Sequence, residues 1–227
     1  MVKFLALLLL ISCAPAQKLI NIVLVGDSTV NDEGGWGEGF RASLVGPLSV
    51  VNVAKNGRSS KSFRDEGLWD NALREHPADY ILIQFGHNDE PGKGPDRETD
   101  PATTYRENMI RYVDEARARG ATPILVTSIV RRNFDAEGKI KRDHLVAYVA
   151  EVRKIAAEKN VPLIDLYALT LAQSESLGPE GSKALGATTK EGKLDTTHLS
   201  AAGRREIGII AAREFVRLEP AFKGYLR

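Results

Sequence analysis

The amino-acid sequence predicts an α/β fold, a three-layer α/β/α sandwich in which helices cover both faces of a parallel five-stranded sheet. Two observations support this prediction. Five short runs carry apolar side chains at almost every position, which is typical of strands that are buried on both faces. Longer segments with helical periodicity alternate with these runs, as they do in parallel sheets whose strands are joined by crossover helices.

The five apolar runs are the predicted strands, and each is rich in valine, leucine or isoleucine. They are residues 19–25, 48–53, 80–85, 123–127 and 161–164. In parallel sheets, ligands bind beyond the carboxyl ends of the strands. We therefore expect the segments that follow the first three runs to converge on one crevice.

Three segments have the apolar spacing of three to four residues that predicts an amphipathic helix. They are residues 104–119, 142–159 and 201–217. Gly120 is a natural stop for the first of these helices, and Ser200 is a natural N-cap for the last. Because the helices alternate with the apolar runs, they complete the βαβα order of the sandwich.

The first residues are predicted to be a signal peptide and not part of the fold. A short positively charged start precedes an apolar run over residues 4–11, which is too short to span a bilayer because a spanning helix takes about 20 residues. One processing route removes residues 1–16 by cleavage before Gln17. The other resembles lipoprotein processing, which removes residues 1–12 and leaves a lipid anchor on Cys13. Both routes predict a secreted protein, extracellular or periplasmic.

Length and composition predict that residues 17–227 form a single domain. The chain has 227 residues, of which 43% are hydrophobic and 27% charged, without internal repeats or low-complexity segments. Its formal net charge of +1 gives no reason to expect a nucleic-acid or membrane-surface partner, and we expect a monomer. Cys13 is the only cysteine, so the exported domain holds together without a disulfide.

Ser28 is the candidate nucleophile. It stands in Gly26-Asp27-Ser28-Thr29, directly after the first predicted strand, where a tight turn would expose its hydroxyl at the edge of the sheet. A serine hydroxyl is a poor nucleophile until a base takes its proton, and the base works best when a carboxylate orients it. The motif alone leaves open a simpler interpretation, a turn whose serine caps a helix.

Asp195 and His198 are the candidate partners of this serine. They lie in Asp195-Thr196-Thr197-His198, in a predicted loop before the last helix. If that loop turns, Asp195 holds one imidazole nitrogen while the other nitrogen faces Ser28. Two alternatives stay open, a helix-entry loop with an incidental histidine and half of a metal site.

A metal site would need more ligands than the sequence offers. Three other histidines are present, and none stands in an HExxH motif or in another cluster with ligand spacing. These histidines are His76, His87 and His144. The prediction is therefore an enzyme without a metal or another cofactor.

An acyl-transfer enzyme also needs hydrogen-bond donors for the oxyanion that forms when the ester carbonyl is attacked. The backbone N–H groups of Ser28 and Gly57 and the side-chain amide of Asn88 are chemically suitable donors. Glycine suits a position at which the backbone approaches a ligand without a Cβ in the way, although a simple turn is, by itself, the better explanation of Gly57.

In their order along the chain, these motifs resemble the four blocks of the SGNH (GDSL-like) hydrolase superfamily. The blocks are Gly26-Asp27-Ser28, Gly57, Gly86-x-Asn88-Asp89 and Asp195-x-x-His198. The resemblance covers nearly the whole chain after the leader. It implies a flavodoxin-like α/β/α fold and a triad of Ser28, His198 and Asp195. The implied oxyanion hole consists of Ser28, Gly57 and Asn88.

The first block departs mildly from the usual pattern, since it continues as Gly-Asp-Ser-Thr. That variant, together with residues 35–37, 56–63 and 85–89, is similar to the rhamnogalacturonan acetylesterase branch of the superfamily. The branch implies a secreted carbohydrate esterase that removes O-acetyl groups from plant cell-wall polysaccharide through an acyl-enzyme. Its expected substrate is rhamnogalacturonan, a pectic polymer.

Four residues are further candidates for substrate binding. His87 is a candidate for the wall of the acyl or sugar pocket, and Trp36 for stacking on a sugar face. Arg58 and Lys61 follow Gly57 closely enough to meet uronic acid carboxylates. Each has a structural alternative, namely a surface-loop histidine, a tryptophan packed at a helix start, and loop cations that are only solvated.

Other functions on the same fold stay open. The triad also fits a short-chain esterase of broader specificity or an acetylxylan esterase. A lysophospholipase or thioesterase would need an apolar acyl tunnel, and the chain has no obvious apolar insertion to build one. A non-catalytic glycan-binding module would lack a catalytic residue, whereas all of the motif residues are present in this sequence.

Overall fold

The structure is a computed structural model that describes residues 18–227. The predicted signal peptide, residues 1–16, lies outside the described residues, as does the lipidation candidate Cys13. Both processing routes therefore stay predictions. Within residues 18–227, no helix is long and apolar enough to cross a lipid bilayer.

Five strands form the central sheet. They are β1 (Ile20–Gly26), β2 (Leu48–Asn52), β3 (Tyr80–Gln84), β4 (Thr122–Val126) and β5 (Leu163–Ile164). Their order in the sheet is β2-β1-β3-β4-β5, and every neighbouring pair is parallel. Each strand lies within two residues of a predicted strand at both ends, and the predicted fold class is confirmed.

Seven α-helices lie within the described residues. They are α1 (Gly37–Ser43), α2 (Ser62–Asp65), α3 (Leu68–Glu75), α4 (Arg106–Ala118), α5 (Leu145–Glu158), α6 (Leu166–Ser182) and α7 (Ala201–Leu218). The three predicted helices correspond to α4, α5 and α7, and a π-helical turn (Pro101–Tyr105) leads into α4. The other four were not predicted, because α1 to α3 are short and α6 is interrupted by Gly178 at φ 67° and by Pro179.

The helices pack on the two faces of the sheet in separate layers. Alternate residues of β1 face opposite sides of the sheet. Val23 and Val25 join the core under α3, α4 and α5, whereas Ile22 and Leu24 join the core under α1, α6 and α7. All four side chains are at most 2% exposed. Burial on both faces explains why this strand is apolar at consecutive positions.

Helices α1 and α7 approach each other closely because each has a glycine at the contact. A Cβ at Gly208 would lie 2.3 Å from the carbonyl carbon of Gly39, and a Cβ at Gly39 would lie 2.1 Å from the carbonyl oxygen of Arg204. No larger residue fits at either position without moving a helix. This contact sets where α7 begins relative to the segment that follows β1.

A second sheet, two-stranded and antiparallel, precedes α7. It consists of β6 (Gly186–Thr188) and β7 (Leu194–Leu199). Asp195 and His198 lie on β7, so the prediction that they lie in a loop is wrong. The interior of β7 is polar and lacks the apolar alternation by which a strand is recognised in a sequence. Ser200 then caps α7 as predicted, because its hydroxyl accepts the N–H of Gly203 at 3.0 Å.

Candidate active site

The turn after β1 presents Ser28 at the carboxyl edge of the sheet. Asp27 is fully buried beside it, and its Oδ1 accepts hydrogen bonds from the N–H of Thr29 at 2.8 Å and from the Thr29 hydroxyl at 2.7 Å. A Cβ at Gly26 would lie 2.6 Å from the carbonyl oxygen of Gln84 on β3, so the end of β1 requires glycine. Close packing and buried hydrogen bonds therefore fix the backbone on both sides of Ser28.

A buried chain of hydrogen bonds continues from this turn to Trp36. The Thr29 hydroxyl accepts from Nε2 of Gln84 at 2.7 Å, and Oε1 of Gln84 accepts from Nε1 of Trp36 at 2.9 Å. Trp36 is 0% exposed. The predicted sugar-stacking role of Trp36 is therefore wrong, since its ring offers no surface to a ligand and instead supports the turn that carries Ser28.

The structure brings Ser28, His198 and Asp195 into one chain of hydrogen bonds. Oγ of Ser28 lies 2.8 Å from Nε2 of His198, and Nδ1 of His198 lies 2.7 Å from Oδ2 of Asp195. When Nδ1 donates to the carboxylate, Nε2 is left as the acceptor for the serine hydroxyl. The arrangement is the one that a serine nucleophile with a histidine base requires.

Asp195 is held by more than the imidazole. Its Oδ1 accepts the backbone N–H groups of Thr197 at 2.8 Å and of His198 at 2.9 Å. Burial raises the pKa of Asp195, but the hydrogen bonds from His198 and Thr197 outweigh it, and the pKa lies below its usual value. The carboxylate is therefore ionised at neutral pH, which suits it to orient His198 and to stabilise an imidazolium.

Arg132 anchors the strand that carries this pair. Its Nη2 donates to the carbonyl oxygens of His198 at 2.7 Å and of Asp195 at 3.2 Å, and its backbone N–H donates to the carbonyl oxygen of Thr196 at 2.8 Å. Arg132 is 6% exposed, and burial lowers its pKa to about 10, which keeps the guanidinium charged at neutral pH. No sequence signal indicates this role, because Arg132 stands 63 residues before Asp195.

The candidate catalytic groups line one cavity of about 430 Å³, the Ser28 cavity. Its lining residues are Ser28, Glu33, Gly34, Asn56, Gly57, Asn88, Ala187, Asp195, His198 and Leu199. The three predicted triad residues and the two further oxyanion residues are all among them. Ala187 and Leu199 contribute the only hydrocarbon side chains of this lining, and the other residues are glycines or carry polar side chains.

Gly57 and Asn88 both line the Ser28 cavity, as the oxyanion hypothesis requires. Gly57 has a φ of 74°, which favours glycine, and a Cβ there would have Nη1 of Arg97 as its nearest neighbour, at 3.9 Å. One N–H of the Asn88 amide donates to the carbonyl oxygen of Arg58 at 3.1 Å. Because a primary amide has two N–H groups, the second stays available to a ligand in the Ser28 cavity.

Asp89 ties the loop of Gly57 to the loop of Asn88. This fully buried carboxylate accepts the N–H of Ser60 at 3.1 Å, the Ser60 hydroxyl at 2.5 Å and the Thr99 hydroxyl at 3.0 Å. Burial raises the pKa of Asp89 to about 7, even though the hydrogen bonds from Ser60 and Thr99 lower it. The sequence motif includes Asp89, but only the fold reveals that it joins the two oxyanion loops.

Arg58 and Lys61 do not line the Ser28 cavity, and both cations have other partners, so the structure adds no support to the predicted substrate contacts. Nε and Nη2 of Arg58 donate to Glu66 at 2.9 and 2.7 Å, and its Nη1 donates to the carbonyl oxygen of Asn56 at 2.8 Å. Nζ of Lys61 donates to the carbonyl oxygen of Pro95 at 2.7 Å. Their role here is to hold the oxyanion loop.

His87 does not form a pocket wall, because it is only 3% exposed and is not among the residues that line the Ser28 cavity. Its Nδ1 lies 3.9 Å from Oδ2 of Asp27. Burial lowers the pKa of His87 well below its usual value, and the charges of Arg131 and His198 lower it further, so the ring is neutral. Within residues 18–227, no three His, Cys, Asp or Glu side chains cluster in a way that would hold a metal ion.

Comparison with known proteins matches the chain to one family. The model of the GDSL-like lipase/acylhydrolase family matches residues 24–206. Rhamnogalacturonan acetylesterase RhgT of Bacillus subtilis (strain 168) is 37% identical, over 92% of this chain and 95% of the relative. The probable rhamnogalacturonan acetylesterase YesY of the same organism is 36% identical, over 85% of this chain and 91% of the relative.

A solved structure agrees with these matches. The crystal structure of the Bacillus subtilis protein YxiM superposes with a TM-score of 0.77 at 28% identity, and the match covers 90% of this chain but 58% of that one. These findings confirm the resemblance to the SGNH hydrolases and to their rhamnogalacturonan acetylesterase-like branch, as well as the prediction of a serine esterase.

Proposed function

This chain is a serine esterase that belongs to the GDSL-like lipase/acylhydrolase family, and we propose that it removes O-acetyl groups from rhamnogalacturonan. The names of the relatives RhgT and YesY support the substrate. The observation that carries the chemistry is the unbroken chain of hydrogen bonds from Ser28 through His198 to Asp195. We propose further that the protein is secreted, with residues 1–16 as its signal peptide or Cys13 as its lipid anchor.

The first half of the reaction transfers the acetyl group to Ser28. Oγ of Ser28 attacks the acetyl carbonyl carbon while Nε2 of His198 takes the hydroxyl proton, and the carbonyl oxygen becomes an oxyanion. When this tetrahedral intermediate collapses, the bond to the sugar oxygen breaks and His198 returns the proton to that oxygen. The sugar hydroxyl leaves, and the acetyl group stays as an ester of Ser28.

The second half restores the enzyme. His198 takes a proton from a water molecule, which attacks the acetyl-serine carbonyl and forms a second oxyanion. Collapse releases acetate and returns the proton to Ser28. The side chain of His198 is 37% exposed and that of Asp195 is 24% exposed, so the base is accessible from solvent.

The oxyanion of both halves would be bound by the N–H groups of Ser28 and Gly57 and by the Asn88 amide. Donors that are fixed before the reaction stabilise the developing charge without reorganisation. The buried carboxylate of Asp89 supplies that fixation, since it joins the loops of Gly57 and Asn88 through Ser60 and Thr99.

The Ser28 cavity favours a small acyl group on a polar alcohol. Only Ala187 and Leu199 among its lining residues have hydrocarbon side chains, which is enough to contact an acetyl methyl group and too little to bury a long acyl chain. The remaining wall offers hydrogen-bonding groups that suit sugar hydroxyls. This composition supports an acetylesterase over a lysophospholipase or a thioesterase.

The test is acetate release from acetylated rhamnogalacturonan, xylan and mannan at matched acetyl concentration, with nitrophenyl esters of rising acyl length beside them. We expect the highest kcat/KM on rhamnogalacturonan and a steep fall beyond acetyl on the nitrophenyl series. Faster turnover of xylan would replace the proposal by an acetylxylan esterase. A preference for long chains would replace it by a lipid or thioester hydrolase, and binding without hydrolysis by a glycan-binding module.

A further inference from the structure

A second, smaller pocket adjoins the Ser28 cavity on the side of the β2 loop. It has a volume of about 240 Å³ and is lined by Asn31, Asp32, Glu33, Asn52, Ala54, Lys55 and Asn56. The negative charge of Asp32 is balanced by Arg41, whose Nη2 lies 2.8 Å from its Oδ2. Glu33 and Asn56 line both cavities, so the two are neighbours across these side chains. We call this second pocket the Lys55 pocket. A substrate whose ester lies at Ser28 can extend past Glu33 and Asn56 into it.

Part of the Lys55 pocket is a rigid framework whose hydrogen bonds are already made. Oδ1 of Asn31 accepts the N–H of Gly34 at 2.9 Å, and Nδ2 of Asn31 donates to Oδ1 of Asn56. Nδ2 of Asn52 donates to Oδ1 of Asp32 at 2.7 Å. These amides are held in place before any ligand arrives, which lowers the entropy cost of binding.

Three other groups of the Lys55 pocket have no hydrogen-bond partner among the described residues. They are Nζ of Lys55, the carboxylate of Glu33 and Nδ2 of Asn56, and all three residues are exposed. The pocket therefore offers a cation, a strong acceptor and a neutral donor that a ligand can use. That combination fits a sugar unit with both hydroxyl groups and a carboxylate.

Lys55 is also the only lysine or arginine that lines either cavity. The cations that follow it in sequence, Arg58 and Lys61, are bound to Glu66 and to the carbonyl oxygen of Pro95. Arg131, farther along the chain, is paired with Glu90 at 2.7 Å and with Asp143 at 2.7 Å. Among the residues that line the two cavities, the positive charge available to an acidic substrate is thus that of Lys55.

We propose that the Lys55 pocket is a subsite for a uronic acid unit of the substrate, in which Lys55 pairs with the carboxylate. Asn56 donates to an oxygen of the same unit, and Glu33 accepts from its hydroxyl groups. This inference rests on the proposed function, because it specifies the acidic polysaccharide that the acetylesterase acts on. It replaces Arg58 and Lys61 with a residue that is free to bind.

The first test compares Lys55→Gln with the unaltered protein on two substrates, acetylated rhamnogalacturonan oligosaccharides and 4-nitrophenyl acetate. The ratio of kcat/KM on the oligosaccharide to kcat/KM on the nitrophenyl ester should fall about tenfold, the effect of losing one hydrogen bond to a charged group. Oligosaccharides whose carboxylates have been reduced to alcohols should show no such fall. An unchanged ratio would overturn the subsite.

Lys223→Gln is the matched control for the loss of one surface charge. Lys223 is exposed and follows Phe222, whose ring packs 5.6 Å from that of Tyr80 at the start of β3, at the opposite edge of the sheet. For Lys223→Gln, the ratio of the two kcat/KM values should equal that of the unaltered protein. Arg97→Gln tests a competing cation, because Nη1 of Arg97 lies 3.9 Å from the position that a Cβ of Gly57 would take. If the kcat/KM ratio fell in Arg97→Gln but not in Lys55→Gln, the proposal would be overturned.

A binding experiment separates failure of the subsite from failure of the proposed function. Calorimetric titration of Ser28→Ala with unacetylated rhamnogalacturonan oligosaccharides needs no turnover. Adding Lys55→Gln to Ser28→Ala should weaken binding about tenfold, and salt should weaken binding to Ser28→Ala more than to the double variant. If the enzyme deacetylates rhamnogalacturonan but Lys55→Gln leaves binding unchanged, the subsite alone is wrong. If Lys55→Gln weakens oligosaccharide binding but the enzyme releases no acetate from rhamnogalacturonan, the proposed function alone is wrong.

Discussion

The candidate active site is assembled from two halves that are held in place differently. Ser28, Gly57 and Asn88 follow neighbouring strands of the five-stranded sheet, and buried groups such as Asp27 and Asp89, both 0% exposed, fix their loops. His198 and its carboxylate partner lie instead on β7 of a two-stranded sheet, with side chains 37% and 24% exposed. Burial fixes the first half, whereas the second half is accessible and is held by hydrogen bonds.

This difference separates two requirements of ester hydrolysis. Oxyanion donors must be fixed before the reaction, so they belong on loops that a buried network holds. A base must exchange protons with the leaving group and with water, so it belongs on an accessible strand. The accessible half still needs an anchor, which Arg132 provides through the carbonyl oxygens of Asp195 and His198.

The largest effect is expected at Ser28, where the two halves meet. Ser28→Ala should lower kcat/KM on 4-nitrophenyl acetate by roughly 10⁴ to 10⁶, the usual cost of losing a triad nucleophile. The melting temperature should hardly change, because the Ser28 hydroxyl bonds only to His198 among the described residues. Near-normal turnover by a folded Ser28→Ala protein would show that the two halves do not form one active site.

The exposed half is tested by Asp195→Asn. An amide of the same shape still accepts the N–H groups of Thr197 and His198, but it no longer selects the imidazole tautomer that accepts the Ser28 proton. We expect kcat to fall by roughly 10⁴ while the fold persists. The measurement is kcat on 4-nitrophenyl acetate, with circular dichroism to check the fold.

Asp70→Asn is the control for this change, because Asp70 is an exposed carboxylate on α3. It should retain the kcat of the unaltered protein. A loss in Asp195→Asn of less than tenfold would mean that the buried half alone orients the base.

The buried half is tested by Asn88→Ala. The variant loses a donor that acts mainly on the developing oxyanion, so kcat should fall by roughly 10² to 10³ with little change in KM. Steady-state kinetics on 4-nitrophenyl acetate separate the two constants. A rise confined to KM would show that Asn88 binds the ground state and does not stabilise the transition state.

The buried half was also the predictable half. Strands covered on both faces are apolar at consecutive positions, so β1 to β4 are found within one residue of their true ends. The polar strand β7 carries no such signal, and its sequence predicts a loop. Its catalytic candidates were found only because Asp195-x-x-His198 resembles a family motif, since no spacing rule joins residues 170 apart.

Substrate contacts were the least predictable part. Closeness in sequence to Gly57 favoured Arg58 and Lys61, but whether a cation is free depends on partners that only the fold brings together. Glu66 neutralises Arg58, and Lys61 bonds to a carbonyl oxygen 34 residues away. The sequence leaves two roles open for Trp36, sugar stacking and packing at a helix start, because its position before α1 does not tell whether the ring faces solvent or the core; the structure shows the packed role.

The smallest effect is expected at Asp89, and it concerns the pH dependence of the folding stability. Burial raises the pKa of Asp89 from an ordinary 3.8 to about 7 in the folded protein. Between these two values the unfolded chain has released the proton while the folded chain still holds it. Folding stability therefore falls as pH rises through this window, by on the order of 1 kcal/mol per pH unit, and stays constant below it.

Asp89→Asn should remove that dependence, because the amide is neutral at every pH while its oxygen still accepts from Ser60. Melting temperatures of the unaltered protein should fall between pH 4 and pH 7, and those of Asp89→Asn should fall less. Asp79→Asn is the opposite control. The N–H of Asn21 and the ammonium of Lys18 hold the pKa of Asp79 below 3.8, so its stabilisation is lost only on further acidification. Asp79→Asn should keep the slope of the unaltered protein between pH 4 and 7, and an equal slope in Asp89→Asn would show that Asp89 is ionised when folded.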